Sequence, residues 1–180
     1  LKEKTMDFKE LAFARRSVRR FAEREVPQGV VQSLLDVTFT APSSRNLRTT
    51  RIAVSRDRGV LAAVAQMRSR GSAFVADAPL AFFIMGDDAQ TDLWRENCAI
   101  SATMLQFAAE DAGLGSCWVH VHGRPHDENA PDGMTAEQYL RANIPSLPPY
   151  PVLCVVAAGY SAETPAPHAM RDDSDKVFNI

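Results

Sequence analysis

The stretch W-R-E-N-C-A-I-S-A-T-M-L-Q-F-A-A-E-D-A-G-L-G-S-C-W, residues 94–118, decides the architecture of this chain. Its spacing predicts one long helix from about Thr91 to Ala112, with Gly113 as C-cap. Cys98, Ala99, Ile100, Ala102, Met104, Leu105, Phe107, Ala108 and Ala109 occupy nearly every face of it. A helix apolar all round is covered on all sides, either centrally in the domain or partly against a second subunit. The chain then turns directly into a strand, Ser116 to Val121.

Downstream, Thr135 to Ala142 reads as a helix opened by a capping box (Thr135, Gln138), and Val152 to Ala158 as a buried strand closed by Gly159. Upstream, Pro79 to Met85 is a buried strand, Asp57 to Arg68 a helix and Thr50 to Ser55 a strand. Ala41 to Asn46 (A-P-S-S-R-N) is a loop dense in turn formers. Pro27 suits the first turn of a helix whose apolar face is Val30, Val31, Leu34, Leu35 and Val37. Residues 7–15 form a short amphipathic helix with Phe8, Leu11 and Ala12 on one face and Asp7 at its N-terminus. Helices come first and strands then alternate with helices, so the fold class is an α+β sandwich built on one sheet. The tail, Tyr160 to Ile180, is polar until Val177, Phe178 and Ile180, which would dock on a neighbouring surface such as another subunit. Leu1 is not an initiator Met, so residues 1–5 read as a remnant ahead of Met6, residues 6–160 as the domain and 161–180 as an arm.

At 180 residues, 46% hydrophobic and 23% charged, the composition is that of one globular domain with a substantial core. A net charge of −2 and a pI near 6.1 give no global attraction for nucleic acid. No apolar run approaches the ~20 residues that span a bilayer, and no signal-peptide pattern opens the chain, so a cytoplasmic protein without a membrane partner is expected. Cys98, Cys117 and Cys154 are odd in number and sit in apolar surroundings, which suits buried thiols.

Against that near-neutral background, Arg15-Arg16-Ser17-Val18-Arg19-Arg20-Phe21 gathers four guanidinium groups and a hydroxyl within seven residues. Such a cluster is solvated, paired with acids or neutralised by a bound anion, and planar guanidinium forks bind phosphate oxygens two at a time. The plainer alternative is a basic helix end complementing the dipole. Ser43, Ser44 and Asn46 offer donors suited to ribityl hydroxyls or phosphate, or simply make a turn. His120 and His122 share one sheet face and could hold a metal with Asp127, yet nothing fixes a further ligand, and no metal site is assigned. Gly113-Leu114-Gly115-Ser116-Cys117 fits neither a nucleophile elbow nor a dinucleotide fingerprint. Trp94 and Trp118 are core residues by default, and Trp118 also suits an aromatic ligand pocket.

Four ordered blocks carry a family resemblance: R-R-S-V-R-R-F at 15–21, A-P-S-S-R-N at 41–46, the stretch at 94–118, and P-V-L-C-V-V-A-A-G-Y at 151–160. Together, over roughly residues 8–160, the chain resembles the flavin-dependent nitroreductase superfamily. The resemblance implies a nitroreductase-like sandwich, with a central mostly antiparallel sheet flanked by helices. It also implies an intertwined homodimer binding FMN at the subunit interface, with a C-terminal arm reaching over the partner. By match of motif, Arg15, Arg16 and Ser17 would hold the FMN phosphate and ribityl chain, and Arg19 would lie near the pyrimidine edge. Ser43, Ser44 and Asn46 would reach the flavin from the opposite subunit. Cys117, Trp118 and Val119 would run along the ring, bringing a backbone N–H towards N5, and Arg171 is a further candidate phosphate contact.

The implied activity is an FMN-dependent oxidoreductase: NADH or NADPH reduces the flavin and leaves, and a small nitroaromatic, quinone or related acceptor takes its place. That ping-pong scheme needs no catalytic side chain beyond the electrostatic role of Arg19. A flavin-binding or sensing module with little turnover is the alternative. Two departures from the family pattern stand out. Leu47-Arg48-Thr49-Thr50 replaces the Gln-Pro-Trp of many relatives, which bears on acceptor specificity, and Arg70 to Phe74 lacks the polar residues some relatives use there. The insert from Gly123 to Gly133 is assigned no role.

Overall fold

Four strands, β1 (Thr50–Ser55), β2 (Leu80–Gly86), β3 (Gly115–His120) and β4 (Val152–Gly159), pair antiparallel in the order β1-β2-β4-β3. The computed structural model describes residues 7–180, so the expectations placed on residues 1–6 lie outside the described residues. The last strand inserts between β2 and β3, which makes β2 and β4 central. Every residue of both is buried, as expected of continuous apolar runs.

One sheet face packs on α4 (Trp94–Asp111) and α2 (Gln28–Thr38), where Phe82, Ile84 and Val156 meet Leu34, Cys98 and Leu105. The other packs on α3 (Arg58–Gln66) and α5 (Ala136–Asn143), where Phe83, Met85 and Val155 meet Leu61, Val64 and Leu140. Helix α1 (Phe8–Ala14) lies on the outside of α4, with the Phe8 and Phe107 ring centroids 5.6 Å apart.

Local chemistry sets the helix ends. Asp7 accepts from the Glu10 N–H (2.8 Å), Asp57 caps α3 through Val60 (2.9 Å), and Thr135 with Gln138 closes the expected capping box. Pro27 is the N-cap of α2, one step outside the first turn assigned to it from sequence. Helix α4 starts at Trp94, because the Thr91 hydroxyl accepts the Leu93 N–H (3.1 Å) and turns the chain first. It ends as expected at Gly113, whose φ of 73° allows Gly113 to bond Glu110 (3.0 Å) and Leu114 to bond Ala109 (2.8 Å).

Within one chain α4 is not covered on all sides. Asn97, Ser101 and Gln106 are among its buried residues, while Ile100 is exposed and Met104 and Phe107 are half-buried. The tail begins by folding back on its own chain: Ala22 bonds Tyr160 (2.8 Å), Ala162 bonds Arg20 (2.9 Å) and His168 bonds Phe13 (3.0 Å). Beyond His168 the side chains are exposed, including Val177 and Phe178. The 123–133 insert folds against the end of α3 through Ser69 N–H to the His126 carbonyl (2.8 Å) and Arg68 to Glu128 (3.5 Å). No helix among the described residues is long and apolar enough to cross a membrane.

Candidate functional site

The arginine segment is pinned to the outer edge of β3. Helix α1 ends as the Arg15 N–H bonds Leu11 (3.0 Å); Ser17 then bridges Ser116 and the Val18 N–H donates to the Ser116 carbonyl (3.0 Å). Gly115 makes this approach feasible, since a Cβ there would lie 2.6 Å from Val18 Cβ and 2.7 Å from both its methyls. Val18 is thus a buried peg, and Ser17, Arg19 and Arg20 on either side of it are exposed.

The charges of Arg19 and Arg15 and the Ser17 side chain are felt at Cys117. Burial pushes that thiol up from 9.0, while Arg19, the Ser17 side chain and Arg15 oppose the rise. The Cys117 and Val119 side chains are buried, so β3 offers a ligand its backbone edge. Among the described residues that edge is bridged only at Ser116. Trp118 is half-buried; its indole N–H donates to His120 Nδ1 (3.4 Å) and the two rings stack. Arg16 donates to the Ala166 carbonyl, and the Glu163 carboxylate accepts both the Arg19 (2.6 Å) and Arg20 (3.2 Å) N–H groups, which lowers its pKa. No carboxylate oxygen of a described residue lies within 4.0 Å of the Arg15, Arg16, Arg19 or Arg20 side chains. Arg15, Arg16 and Arg19, held along one strand edge with no carboxylate of a described residue within 4.0 Å, have the chemistry that an anion site needs.

Ser43, Ser44 and Asn46 lie elsewhere, in a tight turn before β1. Arg45, Asn46 and Arg48 have φ near +50° (50°, 54° and 49°), a conformation costing non-glycine residues about 1–3 kcal/mol each. Buried side chains of the surroundings hold it. Asn97 of α4 accepts the Ser44 N–H (2.9 Å) and donates to the Thr49 hydroxyl (3.1 Å), while Ser43 Oγ accepts the Arg48 N–H (2.9 Å). Strand order puts this turn and the arginine segment beyond opposite sheet edges, about 19 Å apart over four spacings of ~4.8 Å. One chain does not bring the two groups together. Arg171 is exposed in the tail and has no side-chain partner among the described residues.

The histidines show no metal-ligand arrangement. Burial, aided by Arg124, His122 and Arg68, lowers the pKa of His120 from 6.5, the His122 ring meets Trp94 edge-on at 5.0 Å, and Asp127 accepts the Asn129 N–H (2.9 Å). Among the described residues no group of three or more His, Cys, Asp or Glu could hold a metal.

The family model described as Nitroreductase family matches residues 12–69, which carry both the arginine segment and the serine–asparagine turn. An FMN-dependent nitroreductase from Clostridium difficile R20291 has the same fold at a TM-score of 0.86, with 34% identity over 94% of this chain and 96% of its own. This chain belongs to the nitroreductase family. A provisionally named NADH dehydrogenase/NAD(P)H nitroreductase from Methanothermobacter thermautotrophicus is 29% identical over 171 residues, 93% of this chain and 84% of that protein. A similarly named protein from Bacteroides thetaiotaomicron superposes with a TM-score of 0.83 at 25% identity, over 95% and 96% of the two chains.

Three residues that hold these two segments in place escaped the sequence reading. Asn97 had a signal, a polar side chain amid an apolar helix. Gly115 had a weaker one, a second glycine just past the helix cap. Glu163 had none, because its role depends on where the tail runs.

Proposed function

We propose that this protein is an FMN-dependent NAD(P)H oxidoreductase that passes electrons to nitroaromatic, quinone or related small acceptors by a ping-pong scheme. The observation that carries the reading is the trio Arg15, Arg16 and Arg19 held without paired carboxylates beside the open edge of β3. These residues fit a phosphate-bearing flavin: cations for the ester, the exposed Ser17 hydroxyl for the ribityl chain, and a strand edge for the ring. The names of the similar proteins, FMN-dependent nitroreductase and NAD(P)H nitroreductase, support the same cofactor and donor. Bound FMN supplies hydride chemistry that no side chain can.

In this reading Arg15 and Arg16 bind the phosphate, and Ser17 orients the ribityl chain. Arg19 sets a positive charge at the pyrimidine edge, favouring electron uptake there. The backbone from Cys117 to Val119 lies along the ring, with an N–H directed at N5. Ser43, Ser44 and Asn46 come from a second copy. The exposed apolar face of α1, α2 and α4, with Phe8 70%, Phe39 42% and Ile100 39% exposed, supports such a homodimer. The arm crosses after His168, carrying Arg171 and Phe178 to the partner.

The test is an absorbance spectrum of the purified protein, repeated after anaerobic NADH or NADPH and again after an acceptor. Flavin bands that bleach and then return are expected. A colourless protein that takes up no FMN overturns the reading, and bound flavin that neither donor bleaches replaces it with a flavin-binding module.

A further inference from the structure

Arg20 and Arg24 are left over from the cofactor site. Both open onto a cleft of about 750 Å³ that runs on from Arg19, past Arg56 and Arg58. Its floor includes Phe21 and Pro79, both close enough to Gly159 that a Cβ there would strike them. Glu23, Glu25 and Asp77 also line it, so five guanidiniums face three carboxylates.

The pairing within the cleft is uneven. Arg56 is bonded to Glu25 (3.3 Å), and Arg58 donates to the carbonyls of Ala76 (2.7 Å) and Ala78 (3.0 Å). Arg19, Arg20 and Arg24 have no carboxylate oxygen of a described residue within 4.0 Å. Arg24 lies over the Tyr160 ring, 3.6 Å from its centroid, so its stem is anchored while its charge stays unneutralised. The nearby Glu163 carboxylate accepts the Arg19 and Arg20 backbone amides and offsets part of their charge without pairing with either guanidinium. Unpaired guanidiniums in a concave surface of nucleotide-accommodating size favour a phosphate-bearing ligand.

Arg19 belongs to both the cleft and the cofactor site, so a ligand here abuts the flavin's pyrimidine edge. The phosphate-bearing molecule that must visit that place is the hydride donor. We propose that the cleft between Arg20, Arg24 and Arg56 takes the adenosine phosphate half of the dinucleotide donor. Because the excess charge is positive, it favours NADPH, with its additional 2′-phosphate, over NADH. This inference rests on the oxidoreductase reading above.

The experiment uses the full chain loaded with FMN. Steady-state reduction is compared for NADPH, NADH and 1-benzyl-1,4-dihydronicotinamide, a donor without phosphates, in wild type, Arg20→Gln and the Arg20→Gln/Arg24→Gln double variant. The ratio of KM for NADPH to KM for the benzyl donor rises about fivefold per guanidinium removed, and the preference for NADPH over NADH shrinks. Added salt raises the wild-type KM for NADPH more than that for the benzyl donor. An unchanged ratio overturns the inference. Loss of FMN from the variants, in step with any change in KM, also overturns it, by assigning the cleft to the cofactor. A wild-type protein that binds no FMN refutes the oxidoreductase reading instead, which keeps the two failures distinct.

Discussion

Replacing Gly115 with Ala tests whether the close contact between β3 and Val18 builds the cofactor site. The new Cβ would sit 2.6–2.7 Å from the three branched atoms of Val18, whose side chain is 4% exposed and has nowhere to retreat. Overpacking of this kind costs about 1–3 kcal/mol, offset by about 0.4–1 kcal/mol from the stiffer unfolded chain. A net loss of about 1–2 kcal/mol lowers Tm by about 2–8 °C at this chain length. The functional effect is larger, because Val18 lies between Ser17 and Arg19 and its N–H bond to Ser116 (3.0 Å) must stretch. FMN affinity, read by equilibrium dialysis, falls at least about tenfold, or ~1.4 kcal/mol. Val18→Gly in the same chain removes all three clashing atoms, Cβ included, so the double variant recovers relative to the sum of its parts, with a coupling of about 0.5–3 kcal/mol between the two positions. Simple additivity in Tm, or undiminished FMN retention by Gly115→Ala, refutes the peg.

Arg15→Ala weakens FMN retention about tenfold or more in dialysis and changes the Tm of the flavin-free protein little, as expected of a ligand contact with no carboxylate of a described residue within 4.0 Å. Glu163→Ala frees the Arg19 and Arg20 amides from the tail, so trypsin cleaves sooner after Arg19 and Arg20 and flavin retention falls; an unchanged cleavage pattern contradicts a holding role for Glu163. Stability declines above pH 9, because burial pushes Cys98 up to about 12, and raises Cys117 and Cys154 too, from 9.0. The unfolded thiols then release protons that the folded ones keep, and Cys98→Ala flattens the fall of Tm between pH 9 and about 11.

Features with a period or a dense local signal were readable in advance. The apolar runs of β2 and β4 marked central strands, α4 showed its length and its glycine stop, and Thr135 with Gln138 announced α5. The arginine segment was visible because four like charges in seven residues need an outside explanation in a near-neutral chain. The insertion of β4 between β2 and β3 was not visible, since strand order follows from three-dimensional packing and leaves no local trace. Nor was the left-handed backbone at Arg45 and Arg48, residues that do not favour it, whereas Asn46 between them is of a type that does. Tertiary bonds from Asn97 and Thr49 hold that turn. Reading α4 as uniformly apolar hid Asn97, and with it the physical link between the helix and the second loop.

That link bears on how the site is completed. Helix α4 carries Asn97, which fixes the serine–asparagine turn, near one end, and Glu110, which feels the charge of Arg15, near the other. Thirteen residues of helix separate them, about 20 Å at ~1.5 Å per residue, so a single chain keeps the two half-sites apart. Two copies packed antiparallel through the incompletely covered face from Ile100 to Phe107, crossing midway between Asn97 and Glu110, would bring the turn of each beside the arginines of the other. Complementation tests this. Arg15→Ala removes a proposed phosphate contact but leaves the turn intact, whereas Asn97→Ala releases the turn but leaves the arginines intact. Unfolding and refolding the two variants together in equal amounts gives mixed dimers with one intact and one doubly damaged site. About a quarter of all sites regain wild-type FMN affinity, while each variant refolded alone regains none. If the mixture binds no more FMN than the average of its components, both halves of each site come from the same chain and the shared-site arrangement is wrong.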